Sequence, residues 1–279
     1  MLSAARAPRP APGRSEPGQT RIEVRGLGKS FRLGGTELEA VRDVSFTIAK
    51  GEFVALLGPS GSGKSTVLNM IATLLKPSGG EILIDGVRTA PNKASPLVGY
   101  VFQKDTLFPW RTVADNIGYG LELAGVAKAE RAERVAACIE QAGLRGFADA
   151  YPSSLSGGMR QRAALMRTLV VEPQILLMDE PFGALDTHTK IDMHDVLLKI
   201  WDREKQTVLF VTHDLSEALT LADRIIMFSA RPGRIKEMFS VDLPRPRDAV
   251  TLRETPRYAE LFQHVWHSLG EEFIKGRAP

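Results

Sequence analysis

One cysteine, Cys138, stands in the 279 residues, so an internal disulfide is excluded and a reducing compartment such as the cytosol is expected. Long apolar runs are missing too. Stretches such as Ile175 to Met178 and Val208 to Val211 are strand-sized, far below the roughly 20 consecutive residues that a membrane helix needs, so the chain is not expected to cross a bilayer. There is no dense block of Lys or Arg. The formal net charge is +3, and Arg6, Arg9 and Arg14 against Glu16 put +2 of it in the first twenty residues. The body beyond Thr20 is therefore nearly neutral and offers no electrostatic footprint for nucleic acid, despite a sequence pI near 9.0. No secretory signal is expected either, because Pro8, Pro10, Pro12 and Pro17 break up the segment behind the first arginines. No motif occurs twice.

What is present is globular: 43% hydrophobic and 25% charged positions suffice for one large domain or two small ones. Residues 1–20, rich in Pro, Arg, Gly and Ser, bury too little apolar surface to offset the entropy of ordering and read as a flexible tail. From Arg21 onward short Val, Ile, Leu and Phe runs alternate with longer amphipathic segments, the pattern of a mostly parallel α/β sheet wrapped by helices. The runs are Phe53 to Leu57, Ile82 to Ile84, Val98 to Phe102, Ile175 to Met178, Val208 to Val211 and Ile225 to Phe228. Between Thr112 and Arg145, and most clearly from Lys128 to Gln141, the chain turns helical and polar, which suggests a helical subdomain inserted between strands. Near the end Tyr258, Leu261, Phe262, Val265, Trp266, Leu269 and Phe273 recur at helical spacing as one apolar stripe, expected to pack on its own domain.

The segment Gly58-Pro59-Ser60-Gly61-Ser62-Gly63-Lys64-Ser65-Thr66 fits G-x-x-x-x-G-K-[ST]. It lies between the strand Phe53 to Leu57 and an expected helix from Val67 to Leu75, which is the context that a phosphate loop requires. Glycines let backbone N–H groups converge on phosphates, and a helix N-terminus adds favourable dipole. Lys64 would neutralise the β and γ phosphates of ATP, and the Ser65 hydroxyl would hold Mg²⁺.

Three further apolar runs stop at polar residues: Val98 to Phe102 at Gln103, Ile175 to Met178 at Asp179 and Glu180, and Val208 to Thr212 at His213. In open α/β sheets ligands bind at the carboxyl ends of strands, so these residues and the phosphate loop are expected on one rim. ATP hydrolysis needs an acid to orient the metal shell and a base to position water. Asp179 suits the first role and Glu180 the second; Gln103 could touch the metal or the water, and His213 could reach the γ-phosphate.

Leu155-Ser156-Gly157-Gly158-Met159-Arg160-Gln161-Arg162 resembles the signature of the ABC transporter ATPases. Physically, Ser156, Gly157 and Gly158 lead into a helix from about Met159 and make a second anion site at a helix N-terminus. The resemblance runs from about Ile22 to Leu243. Phe31 resembles the aromatic that stacks on adenine, Gln103 falls on the Q-loop, Ile175 to Pro181 on the Walker B segment, Ala184-Leu185-Asp186 on the D-loop, and His213 on the switch histidine. It implies a phosphate-loop NTPase fold of the ABC cassette kind: a RecA-like parallel core, an antiparallel β subdomain and an inserted helical subdomain at about 104–170, within a domain at 21–245 followed by a helical extension at 246–279. It also implies a head-to-tail dimer in which the signature of one protomer closes over the ATP of the other.

Gly-Gly-Met-Arg-Gln-Arg and Glu180-Pro-Phe-Gly-Ala-Leu-Asp186 resemble importers of the family. Phe102 to Trp110 and Arg231-Pro-Gly-Arg-Ile235 resemble its nitrate, sulfonate and taurine group. The implied partners are a second ATPase subunit, transmembrane permease subunits and, indirectly, a solute-binding protein. The apolar run Leu107, Phe108, Pro109 and Trp110 just past Gln103 is expected either to transmit motion to the permease or to pack within the helical subdomain. The implied location is the cytoplasmic face of the plasma membrane. The rival class is a soluble ABC protein acting on nucleic acid or ribosomes, which generally carries two cassettes or a long coiled-coil insertion; neither is found. A catalytically idle cassette is disfavoured by Lys64, Glu180 and His213.

Overall fold

The computed structural model describes residues 19–93, 95–183 and 185–275. Residues 1–18 of the expected tail lie outside them, and its last residue, Thr20, already begins strand β1 (Thr20–Leu33). A turn through Gly34 and Gly35, both at positive φ, reverses β1 into β2 (Thr36–Ala49). With β4 (Gly79–Ile84) and β5 (Val87–Arg88) these form an antiparallel sheet in the order β2-β1-β4-β5. The second sheet runs β10-β9-β3-β8-β7-β6. Its strands β3 (Phe53–Leu57), β6 (Val98–Val101), β7 (Ile175–Asp179), β8 (Thr207–Thr212) and β9 (Arg224–Phe228) are mutually parallel, and β10 (Ile235–Ser240) adds an antiparallel edge.

Both faces of the parallel strands are covered, which is why they read as unbroken apolar runs. Along β3, Phe53, Ala55 and Leu57 face one hydrophobic cluster while Val54 and Leu56 face another. β8 divides likewise, with Val208 and Phe210 on the first side and Leu209 and Val211 on the second. The second cluster is closed by the antiparallel sheet, through Ile22, Val24, Val41, Val44, Phe46 and Ile48, together with helix α1 (Lys64–Ile71). The first is closed by α2 (Val113–Leu123), α3 (Lys128–Gln141), α4 (Gly157–Leu169), α5 (Thr187–Glu204), α6 (Leu215–Leu221) and α7 (Pro256–Lys275).

Several boundaries differ from the sequence reading. Helix α1 starts at Lys64, three residues before the expected Val67, because Gly63 in the left-handed region already redirects the backbone. It ends at Ile71 rather than Leu75, where Thr73 at φ 62° breaks the turn. The helix expected from Met159 begins at Gly157, with Ser156 as its cap. Strands β1, β2, β5 and β10 carry no unbroken apolar run that marks them in the sequence. On α7 the stripe is narrower than expected: Tyr258, Leu261, Val265 and Leu269 are buried, Trp266 is 55% exposed, and the side chain of Phe273 lies outside the described residues.

Candidate functional site

Parallel register sets the site. Leu57 at the end of β3 pairs with Thr212 at the end of β8, and Asp179 at the end of β7 pairs with Val211, so the residues that follow emerge along one edge. Gln103 follows the end of β6, whose Val101 pairs with Met178. There an open cleft of about 420 Å³ is lined by Ser60 through Thr66, Gln103, Glu180 and His213, with Phe31, Leu38, Ala40 and Arg231 along its other margin. The sequence reading and the structure therefore agree that these four strand ends meet.

The phosphate loop holds its shape by close backbone approach. A Cβ on Gly58 would lie 2.7 Å from the carbonyl oxygen of Phe228, and one on Gly63, whose φ is 85°, would lie 2.7 Å from Cγ2 of Val41 and 2.8 Å from the carbonyl oxygen of Ala40. Gly58 and Pro59 are buried, and the Lys64 ammonium donates to the carbonyl oxygens of Gly58 (2.9 Å) and Pro59 (2.8 Å) and to Oγ of Ser62 (3.2 Å). Burial depresses this lysine to about 8, partly offset by the carboxylates of Glu180 and Asp179. No side chain caps the start of α1 at Gly63, and the N–H groups of a first helical turn have no intrahelical acceptor, so this helix start beside the cleft is suited to an anion.

At the foot of the cleft the Ser65 hydroxyl donates to Oδ1 of Asp179 at 2.7 Å. Burial pushes the Asp179 carboxyl up from its ordinary range, and the Ser65 bond opposes this only in part. A hydroxyl and a carboxylate side by side at a phosphate site fit Mg²⁺, which takes few protein oxygens and completes its shell with phosphate and water. Among the described residues no group of three or more His, Cys, Asp or Glu gathers into a denser metal site. Glu180 sits beside this pair at φ 45°, an uncommon backbone for a non-glycine residue, with its N–H held by the carbonyl of Val211 at 3.0 Å. Its carboxylate accepts from Nε2 of Gln103 at 3.1 Å and lies 3.3 Å from Nδ1 of His213. Gln103 and His213 are exposed to the cleft.

Phe31 lies half-buried at the margin, where Lys29 Nζ stands 5.1 Å from its ring centroid. Ser156, Gly157 and Gly158 do not line this cleft. Ser156 caps α4 by accepting the N–H of Met159 at 3.3 Å, and Ser156 and Gly157 are exposed. Ala184 of the expected D-loop lies outside the described residues; its neighbour Asp186 caps α5. In the Leu107 to Trp110 run, Leu107 is buried, Phe108 meets Tyr119 edge-on, and Trp110 is 71% exposed. Leu38, Ala40 and Arg231 had no site role in the sequence reading. The one available signal was the Arg231 to Ile235 motif, which carries no phosphate pattern of its own.

Comparison with known proteins follows the same lines. The family model described as ABC transporter matches residues 41–183. An aliphatic sulfonates import ATP-binding protein of Bacillus cereus is 40% identical over 256 residues, 91% of this chain and 96% of the relative. A taurine import ATP-binding protein of Rhizobium johnstonii is 44% identical over 235 residues, covering 83% and 89%. The dimeric post-hydrolysis structure of the ATP-binding cassette MJ0796 with ADP and Pi superposes with a TM-score of 0.71 at 33% identity, over 79% of this chain and 98% of that one.

Proposed function

From the premise that the chain belongs to the ABC transporter family and is an ATPase coupled to transport, we propose that it powers an importer of a small sulfonate-like or similar polar anion. The sulfonate and taurine relatives support that solute class, together with the Phe102 to Trp110 and Arg231 to Ile235 segments. The working form is a homodimer, as in the dimeric relative, seated on the cytoplasmic face of the plasma membrane beneath separate permease subunits. Among the described residues no helix is long and apolar enough to cross a membrane, so the path for solute belongs to those other chains. Trp110 and its neighbours form the coupling surface, and a solute-binding protein delivers cargo without touching this subunit.

In this reading the loop Gly58 to Thr66 wraps the triphosphate, Lys64 neutralises it, and Phe31 stacks on the base. Ser65 and Asp179 would hold Mg²⁺, with Gln103 beside them, and the ion would supply charge neutralisation at the triphosphate. Glu180 accepts a proton of the attacking water, and His213 steadies the γ-phosphate from the neighbouring strand end. Ser156, Gly157 and Gly158, exposed and outside their own cleft, serve the nucleotide of the partner subunit.

The observation that carries the catalytic assignment is the Glu180 carboxylate standing between Gln103 and His213 beside the Ser65 and Asp179 pair. Glu180→Gln keeps the shape and removes the base. Turnover is expected to fall by about 10² to 10⁴ with ATP still bound, read by phosphate release alongside nucleotide retention. Wild-type turnover in that variant rejects Glu180 as the base.

A further inference from the structure

Two cations line the cleft, and they are in different states. Lys64 is buried with its ammonium engaged by three loop oxygens. Arg231 is exposed, and among the described residues its guanidinium has no hydrogen-bond or ion-pair partner, yet it lines the same cleft as the phosphate loop. A Cβ built on Gly61 would stand 3.4 Å from its Nη2, so the guanidinium leans over the middle of the loop.

The turn that carries Arg231, between β9 and β10, is fixed on three sides. Toward the phosphate loop, a Cβ on Gly233 would lie 1.9 Å from the carbonyl oxygen of Ser62, so backbone abuts backbone. Toward β2, the Gly233 N–H donates to Ala40 O at 2.9 Å and Gly233 O accepts from Arg42 N–H at 3.0 Å. Toward the C-terminal helix, the N–H of Ala230 donates to Oε2 of Glu272 at 3.0 Å. Glu272 is 3% exposed, with Lys236 Nζ 3.3 Å from its other oxygen. A cation without a partner, on a turn this closely held beside a loop built for polyphosphate, is a donor whose acceptor arrives with the ligand.

We propose that Arg231 binds the phosphate chain of ATP from the β9–β10 turn, and that α7 positions it through the Glu272 carboxylate on the Ala230 N–H. Resting on the reading of this cleft as the ATP site, the assignment adds a nucleotide-binding residue outside the phosphate loop. It also gives the C-terminal helix a part in nucleotide affinity. Arg231 is a binding residue, and Glu272 is a positioning residue acting through it.

The test is equilibrium binding of ATP and of adenosine, by displacement of a fluorescent nucleotide from the full-length chain. Arg231→Gln is expected to weaken ATP about 10-fold, the low end for a charged hydrogen bond because the site is open to water, and Arg231→Lys roughly threefold; adenosine should be unmoved by either. Glu272→Ala is expected to weaken ATP roughly threefold in the wild-type background and not at all on top of Arg231→Gln, since the two act in series. Glu272→Gln, which keeps an acceptor for the Ala230 N–H, should restore most of the affinity. An ATP affinity unchanged in Arg231→Gln overturns the proposal, and so does an equal loss for adenosine. Additive losses in the double variant overturn the role of Glu272. Failure of the wild-type chain to bind ATP would instead reject the cleft reading beneath it.

Discussion

Replacing Lys190 with methionine tests a buried ion pair beneath the His213 turn. The Lys190 ammonium lies 3.0 Å from Oε1 of Glu217 and 3.7 Å from Oδ2 of Asp214. Glu217 is 3% exposed, and its other oxygen accepts the Thr212 hydroxyl at 2.6 Å. That hydroxyl in turn accepts the N–H of Asp214, so the carboxylate secures the turn presenting His213 from below. Burial already pushes the Glu217 carboxyl up, with Lys190 among the groups opposing it. Breaking a buried pair by removing one partner costs about 3 to 5 kcal/mol. Lys190 is partly solvated and Thr212 stays in place, so we take the low end, about 3 kcal/mol at pH 8. That is roughly a hundredfold in the unfolding constant, at about 1.4 kcal/mol per factor of ten.

The sign with pH follows from the direction of the shift. A carboxyl whose folded pKa lies above its unfolded value contributes stability at low pH and loses it as pH rises through the folded pKa. Lys190→Met raises that pKa further, so the deficit should be large at pH 8 and shrink at pH 5 as Glu217 takes up its proton. Urea unfolding of both proteins at the two pH values measures it. Glu217→Gln added to Lys190→Met should recover most of the loss at pH 8. An equal deficit at both pH values would refute the argument, because lost side-chain packing alone has no such pH dependence.

Two further outcomes concern the phosphate loop. Because the Lys64 ammonium titrates near 8 without nucleotide, ATP binding above that pH requires proton uptake, and affinity should drop by up to about tenfold per pH unit. Calorimetry in buffers of different ionisation enthalpy reads the uptake, and a flat affinity from pH 7.5 to 9.5 rejects the perturbed lysine. Gly63→Ala places a Cβ 2.7 Å from Val41 Cγ2 at φ 85°, adding about 1 to 2 kcal/mol of left-handed strain to about 1 kcal/mol or more of overpacking. A loss of roughly 3 kcal/mol in urea is expected, with ATP binding impaired; a change below about 1 kcal/mol contradicts the close approach.

The parallel strands were legible because burial on both faces leaves no polar interruption: Val54 and Phe53 point opposite ways, yet both are apolar. β1 and β2 escaped because one of their faces is solvated, so polar residues alternate with core ones, and register shifts such as that between Val24 and Leu27 break the alternation. The polar residues at strand ends stood out since each closes an apolar run, and the sheet register accounts for their meeting. Leu38, Ala40 and Arg231 were invisible as a group. They reach the cleft through pairing of β2 with β1 and the bridge from Val41 to Gly233, contacts far apart in the chain that no local pattern encodes. The start of α1 is hidden in the sequence because Lys64 and Ser65 complete the loop motif, whereas the left-handed Gly63 puts both in the first helical turn.

Strand β3 carries the phosphate loop from an interior position in its sheet, between β8 and β9, with no exposed residue along its length. In the proposed reading the polyphosphate is thus anchored to an interior beam of the sheet, whereas Gln103 follows the edge strand β6 and Ser156 caps a helix of the outer layer. Force arriving from a neighbouring chain would tilt those peripheral parts before it bent the beam. The same nucleotide could then be gripped or released by its surroundings while its own footing stays put.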